Sequence, residues 1–438
     1  MRRMLAKPVN TLVFAALMLC SFATSAFDFE PGVGVGLEYT DNATLAADNP
    51  VDDLIAIGYL GATLQDDDGP VTADVTAALN YHNYTKDTFE NQRYFNLNAV
   101  VDWAMIQNRF DWLLRDFYRQ RPIDTTDPNT PDNIQDSNIL VFGANMVFPV
   151  TARQTINVLP EYRNFYYENQ FTDNQQLALM ASWDYSLSPL TAVGVKGHIR
   201  TVDFDERAVD NVSFASIFYT IAHQRVRSDF SANLGVTGVE RDNGQNTEEL
   251  AGYLDWLFNL TQRSRFRAFL STDLTDTSSD ALRGTVDPGT GDPNEIQITT
   301  DVIRNKVISL GYTHEISKLA SSLTGQYREL NYSETPNDRT IWSLQAVFNY
   351  PVAAALTSGF YARYNNTDFT DTVRTDDNTT VGVNASYRLT PRLNGLVDLK
   401  YRNRDSTQAT QNFDDWSAYV SLVYGFGQPL QPTRAGGF

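Results

Sequence analysis

The chain has 438 residues, a formal charge of −19, 42% hydrophobic residues, and 22 Tyr, 25 Phe and 6 Trp. An acidic balance of this size argues against nucleic-acid binding, which needs a basic face. A single cysteine, Cys20, excludes a disulfide framework and any metal site built from several cysteines. The first segment, residues 1–26, reads as a secretory signal peptide. Arg2, Arg3 and Lys7 start it, the 12 residues Thr11 to Phe22 form an apolar core, and Thr24-Ser25-Ala26 offers a small-residue cleavage site. That core is too short to span a bilayer as a helix. Leu19 is bulky where a lipoprotein signal before Cys20 needs a small residue. Removing this segment takes three positive charges from −19, leaving −22 and no cysteine. The rest has no apolar run of about 18 residues, so no helical span is expected.

From there on the pattern alternates with a period of two, the strand period. Phe95, Leu97, Ala99, Val101 and Trp103 share one parity. So do Leu250, Leu254, Trp256, Phe258 and Leu260, then Trp342, Leu344, Phe348 and Tyr350. Near the end, Leu393, Val397, Leu399 and Tyr401 alternate with Asn394, Asp398, Lys400 and Arg402. No segment after residue 26 carries a convincing helical period. Connections come in two classes that take turns along the chain. Short ones include Ile106–Arg109, Thr261–Ser264 and Leu389–Arg392; long polar ones include 41–53, 121–136, 202–211, 240–246, 276–299 and 404–415.

Short turns at one end and long loops at the other are the layout of an outer-membrane barrel. The expected fold is all-β: a transmembrane antiparallel β-barrel of about 20 strands, with 16–20 as the range. It runs from near Pro31 to near Phe426, with periplasmic turns and external loops. Lipid offers no hydrogen bonds, so a sheet that spans it must close on itself. The division is signal peptide 1–26, barrel 27–427 and a short periplasmic tail 428–438. Tyr424 and Phe426 end the last strand in the aromatic pattern that barrel-assembly machinery reads, although the chain continues to Phe438.

The opening stretch "PGVGVGLEYTDNATLA" (31–46), the repeated Leu-Thr/Ser-Pro turns and the Tyr-Arg pairs at strand ends resemble a known group. It comprises porin-like outer-membrane β-barrel proteins associated with bacterial exopolysaccharide and exosortase gene clusters. The resemblance covers roughly residues 30–427 and is sharpest at Gly34–Asn42. It implies a role at the outer membrane of a Gram-negative bacterium in polysaccharide production or export. It brings no catalytic motif.

If the apolar parity faces lipid, Lys196, Arg200, Arg267, Arg328, Arg363, Lys400 and Arg402 face the lumen, toward the ends of outward-running strands. Rings of cations select anions. The plainer reading pairs each with a carboxylate on a neighbouring strand, as bracing. The acidic loops, 276–299 among them, read as solvated, or as holding divalent cations at the lipopolysaccharide surface; "DPGTGDPNE" (287–295) lacks calcium-loop spacing. His82, His198, His223 and His314 have no zincin or hydrolase spacing, though strands could still bring a Ser–His pair together.

No cofactor or metal is implied, and the expected class is a non-enzymatic channel. The reading favoured is a conduit for anionic exopolysaccharide, in contact with lipid and lipopolysaccharide. The alternatives are a general diffusion porin, or a scaffold barrel closed by the 276–299 loop that docks periplasmic export proteins.

Overall fold

The computed structural model describes residues 28–425 except 170, 207–208, 245, 288–291 and 317. The expected signal peptide, Phe426 and the 428–438 tail lie outside the described residues.

Twenty antiparallel strands form one sheet. In chain order they are β1 (Asp28–Thr40), β2 (Asp53–Asp66), β3 (Val71–Tyr84), β4 (Gln92–Ile106), β5 (Phe110–Pro122), β6 (Ile134–Thr151) and β7 (Gln154–Tyr167). There follow β8 (Asn174–Ser188), β9 (Thr191–Phe204), β10 (Val212–Arg225), β11 (Ser228–Arg241), β12 (Asn246–Thr261), β13 (Ser264–Asp276) and β14 (Val302–Ile316). The last are β15 (Leu319–Tyr332), β16 (Arg339–Ala353), β17 (Leu356–Phe369), β18 (Arg374–Thr390), β19 (Leu393–Ser406) and β20 (Phe413–Gly425). Each pairs with its chain neighbours, and β1 closes the ring on β20 from Gly32↔Gly425 to Thr40↔Ser417. Such closure is what a spanning sheet requires. No helix among the described residues is long and apolar enough to cross a membrane.

Parity sorts as the period predicts. Val33, Val35 and Leu37 of β1, Phe360 and Tyr364 of β17, and Val397 and Leu399 of β19 are all exposed on the outer face. Two aromatic levels bound that face. Trp342 and Tyr350 on β16, like Trp416 and Tyr424 on β20, lie eight residues apart, all four exposed. Eight residues make roughly 26 Å of strand, enough for a tilted crossing of the hydrocarbon layer. Turns at one rim are as short as the two residues 152–153, 189–190 or 226–227, while the other rim carries the long connections.

The wall is not evenly round. The line Trp112, Ala144, Pro160, Leu179, Ile199, Ala215, Gly238, Glu248 crosses β5 to β12 along an outward-facing groove of about 930 Å³. Small residues let the sheet bend here; a Cβ on Gly143 would stand 3.0 Å from the Pro160 carbonyl oxygen. At the long-loop rim this panel has a free side. β12 and β13 pair from Gly252↔Thr272 to Thr261↔Ser264, and beyond Gly252 the two strands part. There the inner residues Val202, Val212, Phe214 and Val239 pack on Leu274 and Val302 from the outer parity of β13 and β14. Glu249 pairs with Arg304 across the same seam. The β9–β12 rim therefore laps over the outside of β13 and β14.

Candidate functional site: the lumen and its inner loop

The connection 277–301 does not extend into solvent as its composition predicts. Its described residues, 277–287 and 292–301, fold into the barrel and begin with a helix, α1 (Thr277–Val286), that the sequence reading missed. The local signals were present. The Asp276 carboxylate caps the N-terminus by accepting from the Ser279 N–H at 2.8 Å, and Arg283 sits in the last turn. What was missing is an apolar stripe: Ala281, Leu282 and Val286 are its only apolar side chains besides Gly284, and Val286 is exposed, because most of the helix faces polar groups of the wall.

Those polar groups come from both sides of the lumen. Arg200 of β9 reaches Asp276 at 2.8 Å, and the Gln176 amide donates to the same carboxylate at 3.1 Å. Asn174 donates to the Ser278 hydroxyl at 3.0 Å. Across the lumen, Arg328 of β15 meets Asp280 at 2.5 Å with each side chain 1% exposed, and Asn305 donates to Asp280 at 2.7 Å. Arg267 of β13 joins Asp287 at 3.0 Å and Asp255 of β12 at 2.8 Å. Arg363 of β17 holds Asp292 at 3.1 Å and Glu295 at 3.2 Å. Arg119 hydrogen-bonds Thr285, and Arg121 the Pro293 carbonyl.

An apolar contact completes the docking. Phe117, Ile139, Val141, Phe165 and Tyr167 of β5–β7 enclose Ala281, Leu282, Ile296 and Ile298 of the loop. Tyr167, Phe165, Ile139 and Ile296 are each 1% exposed. A hydrophobic cluster inside a barrel is unexpected from the polar parity of the strands, and it exists because the loop supplies its other half.

The loop's ionisable groups are shifted in different directions. Burial alone raises the Asp292 carboxyl, but the Arg363 charge, the Asn294 N–H and Arg328 outweigh it and hold Asp292 below the ordinary carboxylate value. Burial and the adjacent Asp292 charge raise Glu295, in spite of Arg363, Arg328 and Arg339. Burial lowers Arg283, but Asp273 and Asp280 overcome it and the group is raised.

Of the sequence-predicted lumen cations, Arg200, Arg267, Arg328 and Arg363 thus converge on the inner loop or its helix cap. This corrects the reading of 276–299 as a solvated acidic loop. Neither a bare cationic ring nor bracing between strands alone describes these arginines, since chain from the 277–301 connection stands between them. Arg402 does brace: it donates to Asp415, its partner on β20, at 2.7 Å. Lys400 is buried on β19, and Lys196 lies at mid-strand on β9. Arg267 stands near the start of β13 rather than toward its far end, and meets the loop where α1 finishes. Tyr424 is exposed at the end of β20.

Strand pairing does bring a serine to a histidine. Ser264 and His314 share a hydrogen bond of 2.7 Å between Oγ and Nδ1, and Thr261 donates to Ser264 at 2.9 Å. Among the described residues no carboxylate is seen to hydrogen-bond His314, and the contact joins the start of β13 to β14 beside a short turn. The remaining lumen space is divided by the loop. A cavity of about 570 Å³ lies between α1 and β7–β13, and a smaller one of about 180 Å³ lies between Asp292–Glu295 and β16–β20.

Residues 340–426 match a family model described as "Putative beta-barrel porin 2". No curated protein matches the sequence. Among solved structures, the FrpB iron transporter from Neisseria meningitidis (F5-1 variant) superposes with a TM-score of 0.48 at 8% identity, over 90% of this chain and 82% of that one. The ferric citrate transporter FecA gives 0.48 at 10% identity, over 91% and 79%. The siderophore receptor PirA from Pseudomonas aeruginosa gives 0.45 at 11%, over 91% and 80%. At such identities and scores these likenesses say nothing about cargo. The chain has the fold of an outer-membrane, porin-like β-barrel.

Proposed function

We propose that this barrel is a gated outer-membrane conduit for an anionic polymer of the exopolysaccharide class, with the inner loop as its resident plug. The observation that carries this reading is the match between wall and loop. Arg200, Arg267, Arg328 and Arg363, which an anionic chain in the lumen would meet, are occupied by Asp276, Asp287, Asp280, Asp292 and Glu295. The loop imitates an acidic ligand, and an acidic polymer competes with it for the same guanidinium groups. The short turns face the periplasm and the loop rim faces outward. No step of this process makes or breaks a covalent bond.

Single-channel conductance of the refolded protein in a planar bilayer tests it. The combined Asp280→Asn and Asp292→Asn variant is expected to open at least tenfold more often than the parent. Added anionic polysaccharide then blocks the open state at one polarity. Silence from this variant and from a barrel lacking 277–299, both shown to be folded, would remove the conduit reading. It would favour the scaffold reading, which the apolar packing of the loop on β5–β7 supports.

A further inference from the structure

The larger lumen cavity, about 570 Å³ between α1 and β7–β13, falls in the size range of small-molecule sites, roughly 300–1,000 Å³. Lys196, His198 and Arg200 occupy alternate positions of β9 and all line it. The other cations of the wall are committed: Arg200 to Asp276, Arg283 to Asp273, Arg163 to Glu161. Lys196 is half-buried, yet among the described residues no carboxylate lies within ion-pair distance of it. Glu161 and Asp273 on the cavity lining, and Asp184 nearby, attract it from beyond that distance, so its donors stay open to a carboxylate brought by a ligand.

The rest of the lining narrows what kind of anion. Tyr253 and Phe269 stack with centroids 6.5 Å apart at 21°, and Tyr253 remains 38% exposed although it faces the lumen. Ser231 and Asn233 add hydroxyl and amide groups. A compact inorganic anion has no use for an aromatic face, and a neutral sugar leaves the ammonium unpaired. We infer that the cavity binds a sugar unit bearing a carboxylate: the acid on Lys196, a pyranose C–H face on Tyr253, hydroxyl groups on Ser231 and Asn233. Ser279, Leu282 and Arg283 of the loop form the opposite wall, so the site is complete only while the loop is docked. Occupancy and loop position are therefore linked. This inference rests on the conduit reading and names the monomer chemistry it would handle.

The test is calorimetric titration of the folded full-length barrel in detergent with trigalacturonic acid and, as the neutral counterpart, maltotriose. The acid is expected to bind at least tenfold more tightly. Lys196→Gln should bring it to the level of maltotriose, Lys196→Arg should restore most of the difference, and Tyr253→Leu should weaken both sugars. Equal binding by the parent and Lys196→Gln, or no binding by the parent, overturns the site. Polymer block of conductance, recorded on the same variants, separates the two ideas. Block that persists unchanged in Lys196→Gln leaves the conduit standing and the site refuted. Lys196-dependent binding without any block keeps the site and removes the conduit.

Discussion

The two walls that grip the inner loop do so by different physics. The β5–β7 wall encloses Ala281, Leu282, Ile296 and Ile298 in side chains that are almost completely buried. The β13–β17 wall holds Asp280, Asp287, Asp292 and Glu295 through Arg328, Arg267 and Arg363. Apolar packing changes little with pH or salt. Ion pairs answer to both, and a buried pair costs several kcal/mol of desolvation that only good geometry recovers. On the proposed reading, one side of the loop is thus a fixed hinge and the other a conditional latch. A competing anion or a change in protonation acts on the latch first.

The largest effect is expected at Arg328. Arg328→Ala removes the close charge partner of buried Asp280 and leaves it only the longer charged contact to Arg283 at 3.8 Å; breaking a buried pair in this way costs about 3–5 kcal/mol and should undock the loop. Electron-paramagnetic distance measurements from a spin label on Thr285 to one on β17 would broaden. The double change Arg328→Met with Asp280→Leu should return close to the parent, because an apolar pair replaces a buried ion pair at little cost. If Arg328→Ala leaves the distances narrow, the latch is not what holds the loop.

On the hinge side, Leu282→Ala removes side-chain atoms from the buried cluster and should cost about 2–5 kcal/mol of docking. Here the comparison is sharpened by salt: loosening measured by the same distances should be equal at low and high ionic strength, unlike that of a latch variant such as Arg267→Gln, whose partners are about one-third exposed. Salt-dependent loosening in Leu282→Ala would blur the two sides into one.

The smallest effect concerns pH. Glu295 is raised, so its share of docking is fully present below its undocked value and is lost as pH climbs through the docked one. Asp292 is lowered, so its share is present above its undocked value and is lost as pH falls through the docked one. Open probability should therefore rise at both ends. Glu295→Gln should abolish the rise on the alkaline side of the carboxylate range, and Asp292→Asn the rise at the acid end. An unaltered profile in both variants would show that neither carboxyl works the latch.

The same division runs through what could be read in advance. Alternating parity and the two classes of turn gave the barrel and its strand count, because each is a local or nearest-neighbour property: Arg402 meets Asp415 only 13 residues away on the next strand. Parity alone singled out seven basic residues as facing inward. The loop partners of Arg328 and Arg363 were not legible, since Asp280 lies 48 residues from Arg328 and Asp292 lies 71 from Arg363.

The amino-acid sequence by itself determined that the chain alternates, closes and presents one apolar face, since the period of a strand is written in consecutive residues. Whether the 277–301 connection would stand in water or turn inward was decided only by tertiary structure. Its composition suits either place. The choice depends on arginines and aromatic side chains from both walls meeting at one point in the lumen, and only the closed barrel brings them there.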